Sequence, residues 1–157
     1  MSGRPKTDEV PVDPAMLSGW PQEFFASGRL TVARAPVVGP QRAALIAQID
    51  AQLPVDYLEF AQQMDGARAG KCKIHGLTSV RKVALSSDNY HILAEDDGGA
   101  LAVKDGDRSG GLYRMSYERD DAQSLNRSFK TALAEFCKSQ TAHKLPEWFP
   151  WRGRGKM

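Results

Sequence analysis

Five residues in this chain could ligate a soft divalent metal: Cys72, His75, His91, Cys137 and His143. Cys72-x-x-His75 has a usable spacing for half of a zinc site, but no second close pair accompanies it. His91 falls in a predicted strand, where a histidine is more often packed or at the surface. Asp105-Gly-Asp-Arg-Ser-Gly110 matches the first half of a calcium loop of the EF-hand type. The position that must supply a bidentate carboxylate is Ser116, and no predicted helix flanks the loop, so a β-turn accounts for the same residues. There is no Gly-x-Ser-x-Gly, no phosphate-binding glycine loop and no Cys–His signature of known spacing. Gly98-Gly99 and Gly110-Gly111 read as turn glycines. The expectation is a protein with no catalytic residues, no metal and no cofactor.

Charge is more informative than any reactive group. Between Glu95 and Asp121 lie 8 acidic and 4 basic residues, a net of −4 in a chain whose total is +2. The acidic groups of interest are Glu95, Asp96, Asp97, Asp105, Asp107, Glu118 and Asp120. A basic protein partner could be steered to such a patch and have its phosphate-binding surface masked. The same residues are also what hairpin turns favour. Both readings stand on the sequence.

The elements that must position these groups follow from periodicity. Residues 16–30 carry Leu17, Trp20, Phe24, Phe25 and Leu30, with Pro21 suited to a first helical turn and Ser27-Gly28 to its end. Residues 31–38 are β-prone, but Pro36 demotes any strand there to an edge. A helix is predicted from Gly39-Pro40 to about Gln52, with Leu45, Ile46, Ile49 and Leu53 on one face. A second begins at Pro54 and stops at Asp65-Gly66, with Tyr57, Leu58, Phe60, Ala61 and Met64 expected in the core. Residues 67–79 read as a loop carrying Arg68, Lys71 and Lys73. Strands are predicted at Val80–Leu85, Tyr90–Glu95, Ala100–Lys104 and Leu112–Tyr117, joined by short Asp/Gly-rich turns. The cleanest amphipathic pattern is Leu125, Phe129, Ala132, Leu133 and Phe136, a helix over about 124–138 with Asp120 and Asp121 near its start and Lys138 at its end.

Helices, then a meander, then a helix argue for an α+β fold: an antiparallel-rich sheet (meander about 80–117) covered by helices at about 40–64 and 124–138. Residues 1–15, with three prolines, read as a mobile or loosely docked arm, 16–138 as one domain, and 139–157 as a tail. In that tail Trp148, Phe149 and Trp151 stand beside Arg152, Arg154 and Lys156. Such a mix can bind single-stranded nucleic acid or a membrane surface, but is more often a flap whose rings cover apolar surface. The balance of 21 basic and 19 acidic residues does not imply a nucleic-acid binder. With no apolar leader, no run of ~20 apolar residues and only two distant cysteines, the expectation is a cytoplasmic protein without a disulfide framework.

Leu53-Pro-x-Asp-Tyr-x-x-Phe closing at Asp65-Gly66 resembles the opening helix of the SUKH superfamily, the Smi/Knr-type domain. Later pieces follow in that family's order. Ile74-x-Gly76-Leu77 is similar to its connector into the sheet, and Tyr90–Glu95 with Gly98-Gly99 and Ala100–Lys104 to its central hairpin. Gly111-Leu112-Tyr113 resembles a further strand, and Ser128-Phe129 through Phe136 its closing helix. The resemblance covers about residues 40–138. Asp65 stands where Asn is usual, and Ala100 and Ala102 where the strand is bulkier or polar.

The resemblance implies a non-enzymatic binding module. Many bacterial members are immunity proteins that neutralise a cognate toxin, often a nuclease; fungal members are regulatory scaffolds. The expected partner is therefore a protein toxin of basic character, met by the acidic loops. The alternatives are a scaffold with several protein partners, and a weak nucleic-acid binder using the basic tail and the Arg68–Lys73 segment. No membrane partner is expected.

Overall fold

The computed structural model describes residues 9–85, 87–119 and 121–144, with side chains as far as Phe136. The first described segment lies within the expected arm, and it is docked. Val10–Pro11 (β1) pairs antiparallel with Val32–Ala33 (β2), and Glu9 grips Arg68 Nε at 2.8 Å. Asp13 then starts a 3-10 turn at Pro14–Met16 by accepting from the Ala15 amide at 3.0 Å. Gly19–Ala26 forms α1, with Pro21 in its first turn and Trp20, Pro21, Phe24 and Phe25 buried. Its end at Ser27-Gly28 is where the sequence placed it. The strand β2 is only two residues long and lies between β1 and β3 (Gly66–Ala69) rather than at an edge, because Pro36 falls beyond it.

The helix α2 spans Gly39–Gln48 and buries no residue; Leu45 and Ile46 are half-buried, while Ile49 and Leu53, just past it, are buried. Pro54 precedes α3 (Val55–Gln63) in an extended conformation and does not enter its first turn. Tyr57, Phe60, Ala61 and Met64 are buried as expected, but Leu58 is only half-buried. Met64 stops the helix by turning extended. Gly66 has a positive φ of 106° but does not cap the helix; it opens β3.

Residues 67–79 are not a loop. They contain most of β3 and all of β4 (Cys72–His75), a hairpin closed by Gly70-Lys71 with Gly70 at φ +60°. The meander follows as β5 (Arg81–Leu85), β6 (Asp88–Glu95), β7 (Gly99–Lys104), β8 (Leu112–Ser116) and β9 (Asp121–Leu125). The last strand stands where the start of the closing helix was expected. Asp121–Leu125 pairs along β8 instead of leading into a helix, and Asp120 lies outside the described residues. The closing helix, α4 (Phe129–Lys144), begins later than expected and runs past Lys138 and past the expected start of the tail. Its first turn is satisfied by Ser128 Oγ, on the Thr131 amide, and by Asp56 of α3, on the Lys130 amide at 3.1 Å. The aromatic and basic tail residues lie outside the described residues.

The fold is α+β: among the described residues, nine strands form one antiparallel sheet packed against four helices. Both β4 and β5 pair with the same edge of β6, β4 at its C-terminal end and β5 along the rest. On the helix side, Trp20, Phe24, Tyr57, Phe60 and Phe129 interlock edge to face and in offset stacks, with ring centres 5.0–6.1 Å apart. Trp20 Nε1 donates to the Asp56 carbonyl at 3.0 Å, and Tyr57 Oη to the His75 carbonyl at 2.7 Å. The other face of the sheet has a smaller apolar cluster of Tyr90, Ile92, Ala100, Ala102 and Met115, ringed by Val83, Leu85, Tyr113 and Ala122. Among the described residues no helix is long and apolar enough to cross a membrane.

Candidate functional site

Directly paired residues share a face of a sheet, so the register assigns every strand residue to one side or the other. Strict alternation along β6 would put Glu95 beside His91 and Leu93, toward the helices. The pairing with β7 instead jumps from Ile92↔Ala102 to Ala94↔Leu101, which leaves Leu93 as the extra residue of a β-bulge. Leu93 and Ala94 then both enter the helix-side core. Glu95, opposite Ala100, is turned onto the face away from the helices.

There it meets three side chains from three other places in the chain. Arg81, on β5, clamps the carboxylate with its fork, Nη1 to Oε2 at 2.5 Å and Nη2 to Oε1 at 3.0 Å. The Tyr117 hydroxyl, just past β8, donates to Oε1 at 2.8 Å. His75 Nε2, from β4, makes a close contact with Oε2. Such two-point Arg–carboxylate contacts are among the stronger charge-assisted hydrogen bonds. The Arg81 fork, with help from His75 and Tyr117, holds the Glu95 carboxyl ionised, down at about 2. Burial is the main force on His75 and lowers it, although Glu95 pulls the other way. Burial, reinforced by the Glu95 hydrogen bond, pushes the Tyr117 hydroxyl up to about 12. With both carboxylate oxygens taken and its charge fixed, Glu95 has no spare protonation state near neutral pH. The knot orients its neighbours: Arg81 and Tyr117 are held side by side while their side chains remain 49% and 43% exposed.

The other acidic residues do not join this knot. Asp96 folds back on its own turn, accepting from the Gly98 and Gly99 amides at 2.8 and 3.0 Å. Asp97 reaches Lys71, in the β3–β4 hairpin, at 2.9 Å. Glu118 is exposed close to Tyr117. Asp105 and Asp107 lie at the opposite end of β7, a strand of six residues and so about 17–20 Å away. Asp105 bonds His91 Nε2 at 2.8 Å on the helix side. Asp107 accepts from the Ser109 amide at 2.8 Å, and hydrogen bonds from the Ser109 hydroxyl first, then from its amide, lower the Asp107 carboxyl from its ordinary value. The acidic residues therefore divide between two ends of the sheet, and five of the six described have donors of their own.

The Asp105–Gly110 loop is a latch. Gly106 N donates to the Asp50 carbonyl at 2.5 Å, Gln52 N to the Asp107 carbonyl at 2.9 Å, and Arg108 pairs with Asp50. These contacts tie the β7–β8 turn to the link between α2 and α3. Cys72 and His75 fall on opposite faces of β4, and His75 and His91 are bound to different carboxylates. Among the described residues no three His, Cys, Asp or Glu side chains are grouped to hold a metal. Of the basic segment, Arg68 is paired with Glu9 and Lys71 with Asp97.

Sequence reading identified Glu95 but missed Arg81, His75 and Tyr117 as its partners. Their joining depends on the bulge, on β4 being a strand, and on β4 and β5 sharing one edge of β6. The only local sign was charge: Arg81 shares its face of β5 with the apolar Val83 and Leu85.

The chain is thus an α+β domain whose best-formed polar site is a saturated ion-pair knot on the sheet face away from its helices. No family model matches the chain, and no curated protein or solved structure matches it either.

Proposed function

We infer that this is a non-enzymatic protein-binding domain, and that its partner is a protein toxin which it neutralises. The observation that carries the binding reading is the pair Arg81 and Tyr117, half-exposed and locked in place by Glu95. Arginine and tyrosine are enriched among the residues that dominate protein interfaces, and fixing them beforehand lowers the ordering cost of association. The exposed Glu118 and the Lys71–Asp97 pair at the same end of the sheet would form a charged rim. The toxin assignment rests on the SUKH-like motif series, whose immunity branch it follows. A partner approaching this end meets mixed charge, the Lys71–Asp97 pair beside the exposed Glu118.

Co-expression with the protein encoded beside it, followed by co-purification, tests both parts. The expected result is protection of the host and a stoichiometric complex, with Arg81→Ala and Tyr117→Ala each weakening the complex by about tenfold or more. A complex without protection supports a scaffold instead, and absence of both overturns the reading. The basic segment favours nucleic acid less, because Arg68 and Lys71 already have carboxylate partners.

A further inference from the structure

Along the sheet's outer strands lies a cleft of about 270 Å³, lined by Gly98, Arg114, Met115, Ser116, Arg119 and Gln123; of its strand residues, Met115 belongs to the face away from the helices and the others to the helix side. The register places Arg114 opposite Gln123 and Ser116 opposite Asp121, all on the face that carries Leu112 into the core. The polar side chains of the lining can all donate hydrogen bonds, and none is a carboxylate. Ser116 Oγ accepts from the Arg119 amide at 3.3 Å, which leaves its own hydroxyl hydrogen to give. Arg119 Nε stands 3.9 Å from Asp121 Oδ2, outside the lining, so one side of that guanidinium is restrained while the rest remains available.

Arg114 is the informative member. Its guanidinium sits 5.0 Å from the centre of the Phe136 ring. Among the described residues it is joined to no carboxylate, as Arg29 and Arg42 are not, whereas Arg34, Arg68, Arg81, Arg108, Arg119 and Arg127 each have one; of the three, Arg114 is the one that lines a cleft. An arginine held by a ring rather than by an acid keeps its charge and its planar fork for something else, and that fork matches the oxygens of a phosphate. The cleft is smaller than a pocket for a drug-sized ligand but ample for a compact oxyanion with a short substituent.

We propose that this cleft binds a phosphate group, free or as the monoester of a small molecule, through the Arg114 and Arg119 guanidinium groups with Ser116 and Gln123 as neutral donors. The site is separate from the Glu95 knot, which lies on the other face of the sheet, and does not depend on how that knot is used.

The test is titration calorimetry and thermal unfolding of the full chain with inorganic phosphate and with phosphoserine, sodium chloride holding the ionic strength constant. Saturable one-to-one binding is expected, with a Tm that rises with ligand concentration. Tighter binding of phosphoserine would assign the site to a monoester, and tighter binding of inorganic phosphate to the free ion. Gln123→Glu places a negative charge in the cleft at an exposed position and should weaken binding about tenfold or more. Arg114→Ala should do the same, with Arg114→Lys between it and the parent because the charge remains and the fork is lost. Equal effects of phosphate and chloride, or unchanged binding in Gln123→Glu, would overturn the proposal even if Arg114→Ala were too unstable to measure.

Discussion

Glu95 Oε1 accepts a hydrogen bond from the Tyr117 hydroxyl at 2.8 Å, although 22 residues and two strands separate them in the chain. The same carboxylate holds Arg81 and His75, so one side chain ties together β4, β5, β6 and the segment after β8. Removing it leaves a buried imidazole without its partner and a guanidinium without its acid. Glu95→Ala is expected to destabilise the domain by about 1–3 kcal/mol, and urea unfolding of the variant measures it. A loss within 0.5 kcal/mol, the ordinary range of a surface substitution, would mean that the knot is only a surface ion pair.

The pH dependence of stability follows from the same residues. Glu95 is held near 2 in the fold against an ordinary 4.5, so its contribution is complete above pH 4.5 and is lost as pH falls toward 2. His75 is lowered by burial from 6.5, so it too contributes fully above 6.5 and less as pH falls below that. Tyr117 is raised from 10 to about 12, and its contribution is complete below pH 10 and lost as pH rises toward 12. Stability is expected to be flat between about pH 6.5 and 10 as far as these groups are concerned, with the decline steepening below 4.5. Denaturant midpoints across pH for the parent and Glu95→Gln check this. The variant should lose the part of the acid limb between 4.5 and 2, and an unchanged limb there would assign the acid sensitivity to other carboxylates.

Two motifs that look unrelated in sequence turn out to be one piece of structure. Asp65 Oδ1 accepts from the Thr78 amide at 3.2 Å and Oδ2 from its hydroxyl at 2.5 Å, while Gly66 pairs with His75. Gly76 fits beneath this arrangement only because it has no side chain: a Cβ there would lie 2.1 Å from Asp65 Oδ1 and 2.2 Å from the Asp65 carbonyl carbon. Gly76→Ala is therefore expected to destabilise by about 1–3 kcal/mol, toward the upper end because backbone atoms cannot swing aside. Its midpoint in urea tests this against Gly106→Ala. That control has open space around it but a positive φ, and so isolates backbone strain from collision.

What was legible in the sequence was whatever local pattern could encode. The apolar spacing of α3 apart from Leu58, that of α4 from Phe129 onward and the order of the meander stand in the structure, whereas Leu125 falls in β9 and Gly66 and Gly99 open strands. The misses have a common cause. The strand β9, Asp121-Ala-Gln-Ser-Leu, has no β-branched or aromatic residue and becomes a strand because β8 offers it a complete ladder. The β3–β4 hairpin is Gly- and Lys-rich at its tip, and only Ala67, Cys72 and Ile74 mark its buried side. The side of the sheet on which Glu95 lies is decided by a bulge at Leu93, and period-two reading cannot see an inserted residue. The candidate site is assembled from these non-local features, which is why one of its four residues was found and three were not.

The half-burial of Leu58 gives the sharpest check on how α3 sits. Tyr57, Phe60 and Ala61 face the core, and Phe60 packs against both Trp20 and Tyr57. Leu58 lies beside that stripe and keeps part of its surface in water. Truncating a fully enclosed phenylalanine removes many contacts and leaves a cavity the surrounding rings cannot fill, so Phe60→Ala should cost about 3–5 kcal/mol. Leu58→Ala removes fewer buried atoms and opens no enclosed cavity, so it should cost about 1–1.5 kcal/mol, below the range for a buried leucine. Both are read from urea midpoints at constant slope. Equal losses for the two variants would mean that α3 is rotated, with Leu58 turned into the core. The Tyr57 hydroxyl could not then reach the His75 carbonyl, which ties this helix to the strand that carries His75 into the Glu95 knot.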